Sequence, residues 1–90
     1  MKELRPTTQY KKDFKRYRHQ TKKLKKLFEI YHLLRNEKPL PQSNKPHQLT
    51  GNYKDCMECH IEGDFLLIWF DEKKDIIELV RLGSHSELYE

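Results

Sequence analysis

His47, His60 and His85 are spread through the C-terminal half of the chain, together with Asp64, Arg81 and the near-terminal Tyr89. These side chains match the needs of metal-free RNA cleavage, in which a ribose 2′-hydroxyl attacks its own 3′ phosphate. That reaction requires a base for the hydroxyl proton, an acid for the leaving 5′ oxygen and a cation for the charge that grows on the phosphorane. Histidine titrates near neutrality and serves in either proton-transfer role. An arginine fork pairs with two phosphate oxygens, and a tyrosine ring stacks on a splayed base at about 1–3 kcal/mol. Taken singly, the same residues have plainer readings: a surface histidine, a cross-strand salt bridge, a terminal aromatic.

Cys56-Met57-Glu58-Cys59-His60 spells the C-x-x-C-H of covalent haem attachment. It lies in strand-like sequence, however, where residues three apart project to opposite faces. No second ligand pair is present to complete a zinc site. No metal and no cofactor is therefore assigned, and Cys59, between Met57 and Ile61, reads as a small buried hydrophobe. The same parity gathers Glu58, His60 and Glu62 on the face opposite Met57, Cys59 and Ile61.

The elements that must position these residues follow from periodicity. Residues 2–7 have room for one short strand, which Pro6 confines to an edge. Tyr10, Phe14 and Tyr17 form one stripe of a helix over about 8–19, with Thr7 or Thr8 as its cap. Thr21 can cap a second helix, whose Leu24, Leu27, Phe28, Tyr31 and Leu34 make an apolar face and which ends near Asn36. Residues 37–54 carry three prolines and no regular period, and form an irregular connection that presents His47. Three segments, 56–62, 65–70 and 75–82, then read as an antiparallel meander, with Phe65–Phe70 as a central strand covered on both sides. A four-residue turn at 71–74 would pair Phe70 with Asp75 and set Asp64 across from Arg81. That pair is either a simple cross-strand bridge or a holder for a phosphate-binding arginine.

The chain has 90 residues, which make one domain at most. Hydrophobic residues form 36% of it, enough for a small dense core, and the ten aromatics disfavour a disordered chain. No apolar run reaches the roughly 18 residues of a membrane span. The first twenty residues are charged where a secretory signal would be apolar, so a cytoplasmic protein with no membrane partner is expected. Charge is strongly asymmetric: residues 1–38 hold thirteen Lys or Arg against four acids, a net of +9, and residues 39–90 net −5. Lys22, Lys23, Lys25 and Lys26 crowd the first turns of the second helix, where the helix dipole disfavours cations by a few tenths of a kcal/mol each. Such a block either attracts a polyanion, nucleic acid above all, or is a solvated helix face.

Four segments carry a family resemblance: Tyr10-Lys11-Lys12-Asp13-Phe14-Lys15, Lys45-Pro46-His47-Gln48-Leu49-Thr50-Gly51, Cys59 to Ile68, and the ending Val80-Arg81-Leu82-Gly83-Ser84-His85-Ser86-Glu87-Leu88-Tyr89. Their order resembles the RelE/ParE toxin superfamily, and most closely its YafQ-like messenger-RNA interferases of type II toxin–antitoxin systems. The Arg-x-Gly-Ser-His-x-x-Leu-aromatic ending is the most specific element. The resemblance implies a single α+β domain over 1–90, with two N-terminal helices packed on a small twisted antiparallel sheet in the order β-α-α-β-β-β. It implies catalytic roles for His47, His60, Asp64, Arg81 and His85. It puts Tyr89 at the position of a terminal aromatic and Phe65 where it supplies either stacking or core; these two, with Lys45 and with Lys22, Lys23, Lys25 and Lys26 on the charge reading above, are the expected RNA contacts. Pro46 before His47 and Gln48 after it depart from the family pattern. The expected partners are messenger RNA, the ribosome and a cognate antitoxin, with operator DNA reached only through the antitoxin complex. The rival readings are a non-enzymatic ParE-like inhibitor, which would lack an assembled His/Arg site, and a basic nucleic-acid-binding module, which would expose aromatics among its lysines.

Overall fold

In the computed structural model, which describes residues 1–89, five strands form one sheet: β1 (Glu3–Pro6), β2 (His47–Gln48), β3 (Met57–Glu62), β4 (Phe65–Asp71) and β5 (Ile76–Gly83). Their spatial order is β1-β5-β4-β3-β2. All pairings are antiparallel except β1 with β5, which run parallel. Helices α1 (Thr8–Lys15) and α2 (Thr21–Arg35) follow β1, and a short helix α3 (His85–Tyr89) follows β5. The α+β class expected from the sequence is the one observed, with β2 and α3 as additional elements.

The Phe65–Phe70 run is central and doubly covered, which is why it shows no polar alternation. Phe65, Leu67 and Trp69 join Leu24, Leu27, Ile30 and Leu34 of α2 and Tyr10 and Tyr17 in the main core. Leu66 and Ile68 point the other way, into a second cluster with Leu88, Leu49, Tyr53 and Val80. That second face holds the candidate site. On α2 the buried stripe is Leu24, Leu27, Ile30 and Leu34, with Tyr31 partly buried; Phe28, expected inside, is 50% exposed because the helix turns Ile30 to the sheet instead.

Thr7 caps α1, its hydroxyl accepting from Tyr10 N at 3.0 Å. The helix closes at Lys15 and not near 19, since Tyr17 N and Gln20 N bond back three residues to Phe14 and Tyr17 carbonyls, tightening the end into turns. Thr21 begins α2 as a helical residue; Gln20 occupies the cap position and makes no side-chain cap bond. The β4–β5 register also differs from expectation. Asp71 pairs with Ile77, and a bulge between Ile68 and Trp69 brings Ile68 opposite Arg81 and Leu66 opposite Gly83. Asp64 therefore does not face Arg81. The longer turn and the bulge together slide β5 along, and Asp64 meets His85 instead, accepting from its backbone N–H at 2.9 Å.

Candidate active site

Strand pairing lays two rows of residues across the sheet. His47, Glu58, Ile68 and Arg81 are consecutive partners across β2, β3, β4 and β5, and His60, Leu66 and Gly83 across β3, β4 and β5. Since laterally paired residues share a face, the sheet brings His47 and Arg81 onto the surface of the second cluster, and sets His60 in the row that leads to the strand end before His85. Glu58 and His60 thus share the face expected from strand alternation, but the alternation breaks at Glu62. There the bulge after His60 lets the side chain reach Lys23 and Lys26 of α2, at 3.5 and 2.9 Å.

Arg81 is fixed from two sides. Strand β1 stops at Pro6, opposite Leu79, so the edge of β5 beyond that point lacks a neighbouring strand. Helix α1 covers it: the Thr7 hydroxyl donates to Val80 O at 3.1 Å, and the Leu82 N–H donates to Asp13 Oδ2 at 3.0 Å. The Asp13 carboxylate, fully buried, also takes Arg81 Nε–H at 2.8 Å and Nη2–H at 3.2 Å. On the other side Arg81 Nη1 donates to Tyr53 Oη at 3.0 Å. Three of the five guanidinium N–H groups are thereby engaged, which leaves one on each terminal nitrogen for a ligand.

Helix α3 is held by Asp64 under the His85 N–H and by Glu87. Ser84 and Glu87 form a capping box: Glu87 N donates to Ser84 Oγ at 3.2 Å, and Ser84 N donates to Glu87 Oε1 at 2.8 Å. Glu87 also accepts from Tyr17 Oη at 2.6 Å and Arg16 Nη1 at 3.2 Å, which ties the helix to the end of α1. The Tyr17 hydrogen bond, foremost, and the Ser84 N–H hold the Glu87 carboxyl below its ordinary range. His85 is exposed on this helix, its ring 4.8 Å from that of Tyr89. Tyr89 packs edge-on against Tyr53 at 5.8 Å.

Glu58 joins the other half of the site. It is 4% exposed, accepts a hydrogen bond from Tyr89 Oη and lies 3.2 Å from His47 Nε2. Partial burial, and then Glu58, raise the Tyr89 phenol above its usual range. His47 Nδ1 donates to Lys45 O at 2.7 Å, so both nitrogens of that ring face acceptors. His60 Nδ1 faces Gly63 O at 3.1 Å; in the neutral ring the proton therefore sits on Nδ1 and the lone pair on Nε2.

His47, His60, Arg81, His85 and Tyr89 thus lie on one face, with Asp64 beneath the His85 backbone. Lys45 is exposed beside His47. Phe65 is not on this face: it is 2% exposed, packs on Tyr17 with centroids 4.7 Å apart, and has no surface for a base. Lys22 and Lys25 are exposed on α2, in the helical layer on the other side of the sheet, whereas Lys23 and Lys26 pair with Glu62. Asp13, Tyr53 and Glu58 were not among the residues assigned from the sequence. Nor was α3, although Ser84 and Glu87 three apart are its readable sign.

The two cysteines project to opposite faces, Cys59 into the main core and Cys56 against the second cluster. Burial pushes the Cys59 thiol up to about 12, in keeping with a small hydrophobe packed in the core. Among the described residues no three His, Cys, Asp or Glu side chains converge as a metal centre would require. Among them, too, no helix is long and apolar enough to cross a membrane.

Against this geometry the similarities are consistent throughout the chain. The mRNA interferase toxin YafQ of Escherichia coli K12 is 35% identical over 82 residues, 90% of this chain and 88% of that protein. The E. coli DinJ–YafQ complex contains a chain of TM-score 0.86 and 30% identity, with full coverage of both. A copper-bound mutant toxin from Helicobacter pylori has TM-score 0.89 and 35% identity, covering 99% of this chain and all of that one. Residues 2–90 match the family described as the bacterial toxin of type II toxin–antitoxin systems, YafQ. The chain belongs to the YafQ family of toxins.

Proposed function

We propose that the chain is an endoribonuclease that cleaves messenger RNA by general acid–base catalysis, with the ribose 2′-hydroxyl as nucleophile. The observation that carries this reading is Arg81: a guanidinium held at three N–H groups, with two left over, on the face that carries His60, His85 and Tyr89. The 2′ oxygen bonds to phosphorus while His60 Nε2, the nitrogen with the lone pair, takes its proton. Protonated His85 gives a proton to the 5′ oxygen as the P–O5′ bond breaks. Arg81 meets the charge on the phosphorane through its two unengaged N–H groups. The products are a 2′,3′-cyclic phosphate and a 5′-hydroxyl. Tyr89, in tilted contact with His85 and tethered by Glu58, offers a ring for the adjacent base, and Asp64 fixes the backbone that presents His85. His47, held by Glu58 and the Lys45 carbonyl, lies on the same face, and Lys45 flanks it.

The +9 half supports RNA held on a larger polyanion, the ribosome. The Lys22–Lys26 block lies beside Glu62, two residues beyond His60. Replacing Lys22, Lys23, Lys25 and Lys26 with Gln should weaken binding to ribosome-bound message and flatten its salt dependence, with base preference unchanged. An unchanged salt slope returns these lysines to a solvated face and leaves Lys45 as the nearer contact.

A similar toxin in E. coli is seen in complex with DinJ, and we assign a cognate antitoxin to this chain as well. An acidic segment that orders on contact would bind fast and mask the basic surface or the face that carries Arg81; operator DNA would be reached through that complex. Co-expression with the adjacent reading frame should give a co-purifying pair and relieve growth arrest. No capture and no relief would reject a cognate antitoxin encoded beside this chain. The non-enzymatic inhibitor reading has no observation to favour it, since it leaves the fixed arginine and its neighbouring histidines without use.

A further inference from the structure

We propose that Asp13 is a positioning residue that sets both the direction and the effective charge of Arg81; this rests on the role of Arg81 at the phosphate. Four features of the geometry lead there. Asp13 is fully buried, yet it is a carboxylate in a helix whose neighbours Lys11, Lys12 and Lys15 are exposed, so burial here is specific to the side chain. Its two oxygens receive the side edge of the guanidinium, Nε–H and Nη2–H, at 2.8 and 3.2 Å. The Leu82 N–H and Gln9 Nε2, at 3.0 and 3.1 Å, complete its coordination and lock its rotamer. Finally, the Arg81 side chain is only 18% exposed and held at three N–H groups, so its remaining N–H groups are presented in one direction and not swept through solvent.

The electrostatic consequence is distinct from the steric one. A buried carboxylate in contact with the fork neutralises it as a pair, so a ground-state phosphodiester, carrying a single charge, gains less from Arg81 than it would from an isolated cation. The phosphorane carries more charge, and the fixed N–H groups meet it without reorganisation. Asp13 thereby shifts the contribution of Arg81 from substrate binding to the transition state. A residue that merely held the strand edge would affect stability and leave this partition alone.

The test is Asp13→Asn, which retains an oxygen for the Leu82 N–H but removes the charge and sets an amide N–H against the guanidinium. Measured with ribosome-programmed message, kcat should fall by about 10²-fold, the effect of misplacing a reacting group by about 1 Å, while KM stays unchanged or falls. Added to Arg81→Ala, the substitution should cost nothing further. The wild-type chain gives a readout that needs neither substrate nor variant: the Arg81 Nε–H should appear as a protected, slowly exchanging side-chain resonance in a ¹⁵N spectrum. A freely exchanging Nε–H, an unchanged kcat in Asp13→Asn, or a full additional loss in the double variant would overturn the assignment. If Arg81→Ala alone leaves cleavage intact, the role of Arg81 fails and the positioning role goes with it. An active-site role for Arg81 combined with a silent Asp13→Asn rejects Asp13 only.

Discussion

A His85→Ala variant should cleave message at least about 10²-fold more slowly than the wild type while keeping its fold, as expected on loss of a general acid. The side chain is exposed and sits on the outer surface of α3, so its removal disturbs no core contact. The backbone beneath it stays pinned by Asp64, the capping box and the Glu87 ties to α1. Tyr89 loses the tilted contact with the His85 ring but keeps its bond to Glu58. Cleavage kinetics, measured beside an unfolding curve, check the prediction. Wild-type cleavage with an unchanged unfolding midpoint would remove His85 from the chemistry.

The second large effect is expected at a residue with no functional group. Gly83 ends β5 with φ +156°, and a Cβ there would lie 2.6 Å from Glu87 Oε1. That oxygen is the one that accepts from Tyr17 Oη and Ser84 N, so it cannot retreat without releasing both. Gly83→Ala should therefore break the capping box, at a cost of about 1–2 kcal/mol, and let α3 drift. A shift of about 1 Å at His85 suffices for a fall of about 10² in turnover. Glu87→Ala should reproduce the loss of turnover by the same route with Gly83 intact. The depressed Glu87 carboxyl adds a sign: its contribution to stability is present above the pKa of the unfolded chain and disappears as pH falls through the folded value. The difference in unfolding midpoint between wild type and Glu87→Ala should accordingly narrow on acidification. Full turnover in Gly83→Ala would mean that α3 is positioned by something other than Glu87.

How far the site was legible in the sequence depended on whether its parts were local. The Phe65–Phe70 run announced a central strand because burial on both faces leaves a continuous apolar signal, and the alternation around Glu58 and His60 gave their shared face. The polar ending after Gly83 was recognisable as chemistry, although α3, only five residues long, was not recognised from its capping box. What the sequence concealed was set by distance along the chain. Asp13 reaches the site only because β1 stops short of the end of β5 and α1 fills the gap, and the bond to Arg81 spans 68 residues. Tyr53 sits in a connection without period, and its role appears only once Arg81 and α3 are placed beside it. The Asp64 pairing went to His85 and not Arg81 because a bulge leaves no reliable mark in apolar sequence. Phe65 shows the converse: an aromatic at a suggestive position is core when its strand parity faces the helices.

With the ribose 2′-hydroxyl as nucleophile, the ends of the cleaved RNA carry the signature of the reaction. Purified chain should be incubated with ribosome-programmed message carrying a single 2′-deoxy substitution at the mapped cleavage position, beside the unmodified message. The unmodified RNA should yield a 2′,3′-cyclic phosphate and a 5′-hydroxyl, with no cut at the deoxy position. A 5′-phosphate with a 3′-hydroxyl, or undiminished cleavage at the deoxy position, would rule out the 2′-hydroxyl as nucleophile.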